Sequence, residues 1–176
     1  MVKVQRFFAY FIFFIFALIY FVSKISIYYF VEKELKNYEI IISNEELQES
    51  SFNLHITGGT LSVKSVESAN IGQADMKTYG LYNSIELQEI VLSKTVSSFV
   101  PSKIKNATVS YTLFNPTNIQ IKASGEFGEA DAEYNLLNKT LYLKLKPSKK
   151  MLTRYKSTLN NLKESENGEY IYEKNI

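Results

Sequence analysis

An uninterrupted apolar run near the N-terminus constrains this chain more than any other feature. From Phe7 to Val22 the sequence reads FFAYFIFFIFALIYFV, sixteen residues without a charge. Phenylalanines would cover every side of a helix built from this run, so such a helix has no polar side to turn toward water. The helix would measure about 24 Å, and the Lys24 ammonium could reach past its end to lipid headgroups. The run therefore predicts a single-pass transmembrane helix, with residues 1–31 as the anchor and Tyr20, Tyr28 and Tyr29 in the interfacial belt.

A cleaved signal peptide is the alternative to an anchor. Cleavage needs small residues just after the apolar run, and the stretch from Val22 to Tyr29 contains no such site. Residues 1–31 contain Lys3, Arg6 and Lys24 but no acidic residue. Lys3 and Arg6 precede the run, which favours a cytoplasmic N-terminus and an extracytoplasmic body.

Residues 32–50 are predicted to be a juxtamembrane connector. Ile40, Ile41 and Ile42 form a short first strand or pack against the domain that follows. Ser43 and Glu46 have the spacing of a capping box, which predicts a short helix around residues 44–49.

From Phe52 onward the apolar residues recur with a period of two, as in half-buried strands. Gly58-Gly59 between two alternating segments predicts a hairpin, and residues 115–118 (NPTN) predict a turn. The pattern gives seven or eight short strands joined by tight turns. Residues 51–176 are thus predicted to be a mainly β extracytoplasmic domain, an antiparallel meander sheet or half-barrel.

The period changes after Pro147, where Ser148 can cap a helix over residues 148–166. Its apolar stripe would comprise Met151, Leu152, Tyr155, Leu159 and Leu162. Such a helix either lies on an anionic membrane or packs on the sheet, and we expect the packed arrangement, an α+β fold. The sheet face that we expect it to seal comprises Val109, Tyr111, Leu113, Ile119, Ile121, Leu141, Leu143 and Leu145.

Composition restricts the chemistry that the chain can perform. There is no Cys and a single His, His55, which excludes thiol catalysis, Cys-containing zinc sites and His-rich metal sites. All 18 acidic residues lie in the near-neutral remainder of the chain, which does not suit direct binding of nucleic acid.

Candidate catalytic groups are few. The densest acidic cluster could form a cation site or a carboxylate pair. Its residues alternate with apolar ones, however, which predicts the solvent face of a strand; they are Glu126, Glu129, Asp131 and Glu133. His55 lies on the polar phase of its strand, and neither it nor Asp75 has a catalytic partner nearby in sequence. We therefore expect no catalytic, cofactor-binding or metal-binding residue, no cofactor and no enzymatic activity.

Three segments resemble the periplasmic strands of the type II secretion system protein N family, within the AsmA-like group. They are ITGGTLSVKSVESANIG (56–72), LYNSIELQEIVLS (81–93) and IKASGEFGEADAEYNLLNKTLYLKL (121–145). The matching features are Gly59-Thr60-Leu61 at the start of a strand, Gly72 after Ala69-Asn70-Ile71, and Gly125 before the late strands.

The resemblance implies a bacterial inner-membrane helix followed by a periplasmic sheet rolled into a half-barrel. It implies an accessory or assembly component of a type II secretion, type IV pilus or DNA-uptake (competence) apparatus. The partners would be the inner membrane and other membrane or periplasmic proteins of that machine. The alternative is an AsmA-like lipid-handling protein whose concave sheet face binds acyl chains.

Overall fold

The computed structural model describes residues 2–175, which form two N-terminal helices, one antiparallel sheet and two short C-terminal helices. The first helix, α1, runs from Val2 to Phe21. It contains no charged residue after Arg6, and no residue from Val4 to Phe21 is fully buried against the rest of the chain. The helix is long and apolar enough to span a membrane, as the sequence predicted.

A second helix, α2, begins just after the first and belongs to the sheet domain. It runs from Lys24 to Lys36, and the Ser23 hydroxyl caps it by accepting from the Ser26 N–H. Residues 24–31, assigned to the anchor from sequence, are therefore in a separate helix. Tyr28, expected in the interfacial belt, is instead buried against the sheet.

The prediction that the Lys24 ammonium extends toward headgroups is wrong. Its side chain is 1% exposed, and its ammonium donates to the carbonyls of Ile19 at 2.8 Å, Tyr20 at 3.3 Å and Val22 at 2.6 Å. The last carbonyls of a helix have no partner within it. Lys24 satisfies them at the α1–α2 junction, so its charge stabilises the break between the helices.

Twelve strands form the sheet, and they account for 48% of the residues, which confirms the mainly β, α+β class. Their bounds are β1 Ile40–Ser43, β2 Glu46–Glu49, β3 Asn53–Thr57, β4 Thr60–Val63, β5 Val66–Thr78, β6 Tyr82–Leu92, β7 Lys103–Thr112, β8 Asn118–Gly125, β9 Gly128–Asn135, β10 Thr140–Pro147, β11 Lys163–Glu164 and β12 Tyr170–Asn175. The spatial order is β1-β4-β5-β6-β7-β8-β9-β10-β12-β11, with β3 also paired to β5 and β2 to β3. The predicted meander is correct from β5 to β10.

The predicted hairpin at Gly58-Gly59 is wrong. Strands β3 and β4 both pair with β5, so the chain continues past the glycines in the same direction. The Gly58 N–H donates to Gly72 and the Ile71 N–H donates to Gly59, which keeps both halves attached to β5. The reversal comes at Lys64-Ser65, where both residues have positive φ, as a two-residue type I′ turn requires.

The helix predicted around residues 44–49 is also wrong, because residues 46–49 form β2 and pair with β3. Residues 32–50, predicted as a connector, contribute both β1 and β2 to the sheet. The capping-box spacing of Ser43 and Glu46 does not produce a helix here because Glu46–Glu49 is used as an edge strand.

The predicted helix over 148–166 is shorter and broken. The helix α3 runs from Lys149 to Arg154 and α4 from Lys156 to Leu159, and Tyr155 between them has non-helical φ −121° and ψ 31°. Ser148 caps α3 as predicted, by accepting from the Met151 N–H. The chain then returns to the sheet through β11, so residues 163–164 are strand.

Candidate functional site: an open apolar sheet face

One face of the sheet is apolar across six neighbouring strands, and both sets of helices pack on it. The side chains of directly paired residues lie on the same face. One such row crosses β6, β7, β8, β9, β10 and β12 and comprises Leu87, Ala107, Ala123, Ala130, Leu145 and Tyr170. Leu87 packs with α2, whereas Ala123, Ala130 and Tyr170 pack with α3 and α4. We call this side the apolar face.

At one side of the apolar face, α2 covers β3, β5 and β6. Tyr28 lies in a buried cluster with Leu54, Ile56, Ala74 and Met76. Its hydroxyl donates to the Glu45 carboxylate at 3.0 Å, so the polar end of the ring has a partner. Burial, with the hydrogen bond to Glu45, raises the pKa of Tyr28 well above its ordinary value. The phenol therefore stays neutral and holds α2 on the sheet.

At the other side, α3 and α4 cover only one end of the face. Met151 and Leu159 are buried with Phe127 and Leu145. Lys150 fixes the start of α3 through a 2.6 Å ion pair with Glu126. The hydrogen bond from Lys150 lowers the pKa of Glu126. Desolvation raises it by less, so the pKa lies below its ordinary range. Leu152, predicted to share the buried stripe, is 45% exposed.

Two rows between the helices remain uncovered, contrary to the sealed face expected from sequence. The residues of these rows are only partly buried, except Lys174, which is exposed. Among the residues that we expected α3 and α4 to cover, only Leu145 is buried. We call them the open rows: Ile85, Val109, Ile121, Ala132, Leu143 and Tyr172 in one, and Asn83, Tyr111, Ile119, Tyr134, Leu141 and Lys174 in the other. Leu113, also expected under the helix, is exposed in a turn.

The open rows contain a cleft with the size and lining of a ligand site. It has a volume of about 370 Å³ and lies between α2 and β5–β8. Ile27 and Val31 form its helical wall, and Ile85, Val109 and Ile119 lie among the residues of its floor. Ligand pockets of a few hundred Å³ with mainly apolar walls are typical for apolar ligands.

A larger concavity of about 760 Å³ lies at the far end of the sheet, around Gly125 and Gly128. Five of the residues that line it are charged: Glu89, Lys103, Lys105, Glu126 and Glu129. The smaller cleft has one charged residue in its lining, Lys77, whose ammonium pairs with Glu86 at 2.7 Å, so an apolar ligand would desolvate fewer charges there. We therefore place the candidate site in the smaller cleft.

The end of the sheet nearest the open rows is attached to α1. The Tyr20 ring lies 5.8 Å from the Phe52 ring, and the Phe52 ring lies 6.2 Å from that of Tyr79. Ile19 lies against Gly80, where an added Cβ would be 2.7 Å from the Ile19 Cδ1. We call this the membrane end, because the last turn of α1 meets the strand connections here, and we call the opposite end the distal end.

The opposite face is polar, as the alternation predicted. Lys122 and Asp131 on neighbouring strands are 3.9 Å apart, and Lys144 pairs with Glu169 at 2.9 Å. Glu129 and Asp131 are exposed on this face, whereas Glu126 lies in the β8–β9 turn with Lys150. The four carboxylates of the acidic cluster do not converge on one point. Among the described residues, no three His, Asp or Glu side chains are grouped so as to hold a metal ion.

His55 has an acidic partner that sequence reasoning missed. Its Nδ1 lies 2.8 Å from the Asp75 carboxylate, across the β3–β5 pair. The pair lies on the polar face, away from the cleft. Since the two residues are 20 apart in sequence, only the β3–β5 register brings them together.

The arrangement suits binding by burial of apolar surface. Seven of the residues that line the cleft are apolar or aromatic, and the polar ones are Lys77, Thr78, Asn83, Ser84 and Ser110. Comparisons with known proteins add no family. A scan against protein-family models finds no match for this chain, and neither the curated proteins nor the solved structures searched contain one.

Proposed function

We propose that this chain is a non-enzymatic, single-pass protein of the bacterial inner membrane whose periplasmic sheet binds phospholipid acyl chains on its apolar face. The observation that supports this most is the pair of open rows, which leaves apolar side chains between the helices uncovered. Exposed apolar patches of this kind mark interaction sites in soluble domains. An acyl chain matches the lining because it needs apolar contact and no directed hydrogen bond.

The position of the cleft supports a lipid rather than a soluble apolar compound. The open rows lie next to the membrane end, where α1 joins the sheet. A phospholipid leaving the bilayer beside α1 would reach Tyr111 and Ile119 first and Leu145 last. The headgroup could then stay at the membrane end while the chains lie along the strands.

Charge supports the orientation. Lys3 and Arg6 precede the apolar run on a short N-terminal segment, so that segment stays cytoplasmic and the sheet is periplasmic. A C-terminal alkaline phosphatase fusion to the full chain should be active, because this reporter folds only outside the cytoplasm. An inactive fusion with full-length protein in the membrane would contradict this orientation.

Site-specific photo-crosslinking tests the acyl-binding face. A benzophenone amino acid at Leu143, in the open rows, should crosslink to phospholipid when the full chain is in proteoliposomes. The matched control is Tyr142, the next residue on β10, whose side chain lies on the polar face and is 40% exposed. Equal lipid adducts at both positions, or none at Leu143, would contradict the proposal.

An accessory role in a type II secretion, pilus or competence apparatus is the second candidate. Its support is the open edge of β12. On the side away from β10, Tyr170 and Ile171 pair with β11, and among the described residues no strand pairs with the rest of β12 on that side. Such edges can accept a strand from another protein. Deletion of the chain should then impair secretion, piliation or DNA uptake; unchanged function in all three would exclude this role.

A further inference from the structure

The strand connections at the membrane end are apolar and exposed. Three turns lie side by side there, between β5 and β6, between β7 and β8, and between β9 and β10. Phe114 is 83% exposed and Leu137 is 75% exposed. The exposed apolar residues of this end, which we call the tip row, are Phe52, Tyr79, Leu81, Tyr82, Leu113, Phe114, Leu136 and Leu137.

The charge pattern distinguishes this end from the other. The turn segments 78–83 (TYGLYN) and 111–120 (YTLFNPTNIQ) contain no charged residue, and 134–139 (YNLLNK) contains only Lys139. At the distal end, the connection after β10 contains five basic and three acidic residues between Lys149 and Glu169. Aromatic and aliphatic side chains without acidic neighbours are typical of segments at a membrane–water interface.

The attachment of α1 decides what the tip row faces. The last turn of α1 touches Phe52 and Gly80, which belong to this same end. Lys24 joins the two helices at that point through the carbonyls of Ile19 and Tyr20 in the last turn and of Val22 just after it. A bilayer crossed by α1 therefore begins within a few ångströms of the first turn in the row.

We propose that the tip row docks into the outer surface of the bilayer that α1 crosses, with Phe114 and Leu137 inserted among the headgroups and upper acyl chains. The sheet domain then contacts the membrane through these turns as well as through its connection to α1. The inference uses the membrane anchor of the proposed function but not its acyl-binding cleft. Docking would place the open rows directly above the lipid, with the end of the cleft nearest α1 at the bilayer surface.

Single tryptophans test the docking, because the chain contains no Trp. Phe114→Trp and Leu137→Trp, each in the full chain, would be reconstituted in vesicles of phosphatidylethanolamine and phosphatidylglycerol with or without brominated acyl chains. The control is Phe99→Trp, since Phe99 is 63% exposed in the distal β6–β7 connection. We expect brominated lipid to remove most of the emission of both tip variants, together with a blue shift, and to leave Phe99→Trp nearly unchanged.

The proposal is overturned if either tip variant is quenched no more than Phe99→Trp. Flotation of all three variants with the vesicles confirms the anchor separately. If the acyl-binding proposal is wrong but the docking proposal is right, the Leu143 crosslink to phospholipid is absent while brominated lipid still quenches the two tip variants. The two proposals can therefore fail independently.

Discussion

Removal of the Leu159 side chain tests how the C-terminal helices are held on the sheet. Leu159 is 2% exposed and packs with Met151, Phe127 and Leu145. Leu159→Ala removes three carbons from this cluster, and such truncations at fully buried sites cost about 3 kcal/mol or more. In a protein of this size each kcal/mol lowers the melting temperature by about 2–4 °C, so we expect a decrease of about 6–12 °C.

Leu152→Ala is the matched control, because the helical period placed both leucines in one stripe. Leu152 is 45% exposed, and substitutions at such positions usually change stability by less than about 0.5 kcal/mol. Thermal unfolding of the full chain in detergent micelles, followed by the circular dichroism of the sheet, measures both variants. Equal melting temperatures for the two variants would refute the packing described for α4.

Two further predictions concern the fold around α3 and the β8–β9 turn. Because the Lys150 ammonium holds the pKa of Glu126 below its ordinary 4.5, this contact stabilises the protein above that pH, and the contribution is lost as pH falls through the lowered pKa. Lys150→Met should therefore make urea-unfolding stability less dependent on pH below 4.5, and an unchanged acid dependence would contradict the ion pair. Gly128→Ala should prevent folding or lower the melting temperature severely, because its Cβ would clash with the Lys146 carbonyl oxygen at φ +118°. Gly168→Ala, at φ +72° with no atom within 4 Å, should cost only about 1 kcal/mol of backbone strain, and similar losses in both would contradict the steric reason.

The late strands were predictable because one face is apolar and the other polar throughout. Ile119 and Ile121 alternate with charged or amide residues, and the turn at 115–118 separates them from β7 as predicted. Register between these strands follows from the same alternation, since a slip by one residue would turn the apolar side chains to the polar face. Local pattern and tertiary structure agree here.

The early strands were harder, because their turn signals are ambiguous. Gly58-Gly59 permits a reversal, but it equally permits an irregular step along an edge, and only the length of β5 decides between them. At 13 residues, β5 is long enough to pair with β3 and β4 in succession. The chain actually reverses at Lys64-Ser65, and this turn contains no glycine by which the sequence could indicate it. The His55–Asp75 contact depends on this pairing and was hidden for the same reason.

The C-terminal helix shows the limit of periodicity. Its stripe was read correctly at Met151 and Leu159, which are both buried. The stripe does not reveal that Tyr155 leaves the helical region and divides the segment. Two helices of six and four residues reach less of the sheet than one helix over residues 148–166 would.

The dimensions of the elements explain why the apolar face stays open. Ten strands lie side by side along the sheet, and nine intervals of about 4.8 Å give a width of about 43 Å. The helix α2, about 10 Å across, lies over β3, β5 and β6, and the α3–α4 pair packs only on the distal end of β7–β10 and β12. The part of these strands nearer the membrane end is not covered by either set of helices and contains the open rows. Among the residues that the structure describes, no further helix lies over this surface. Under the proposed function another apolar partner covers it, and the bilayer that α1 would cross is the nearest source of one.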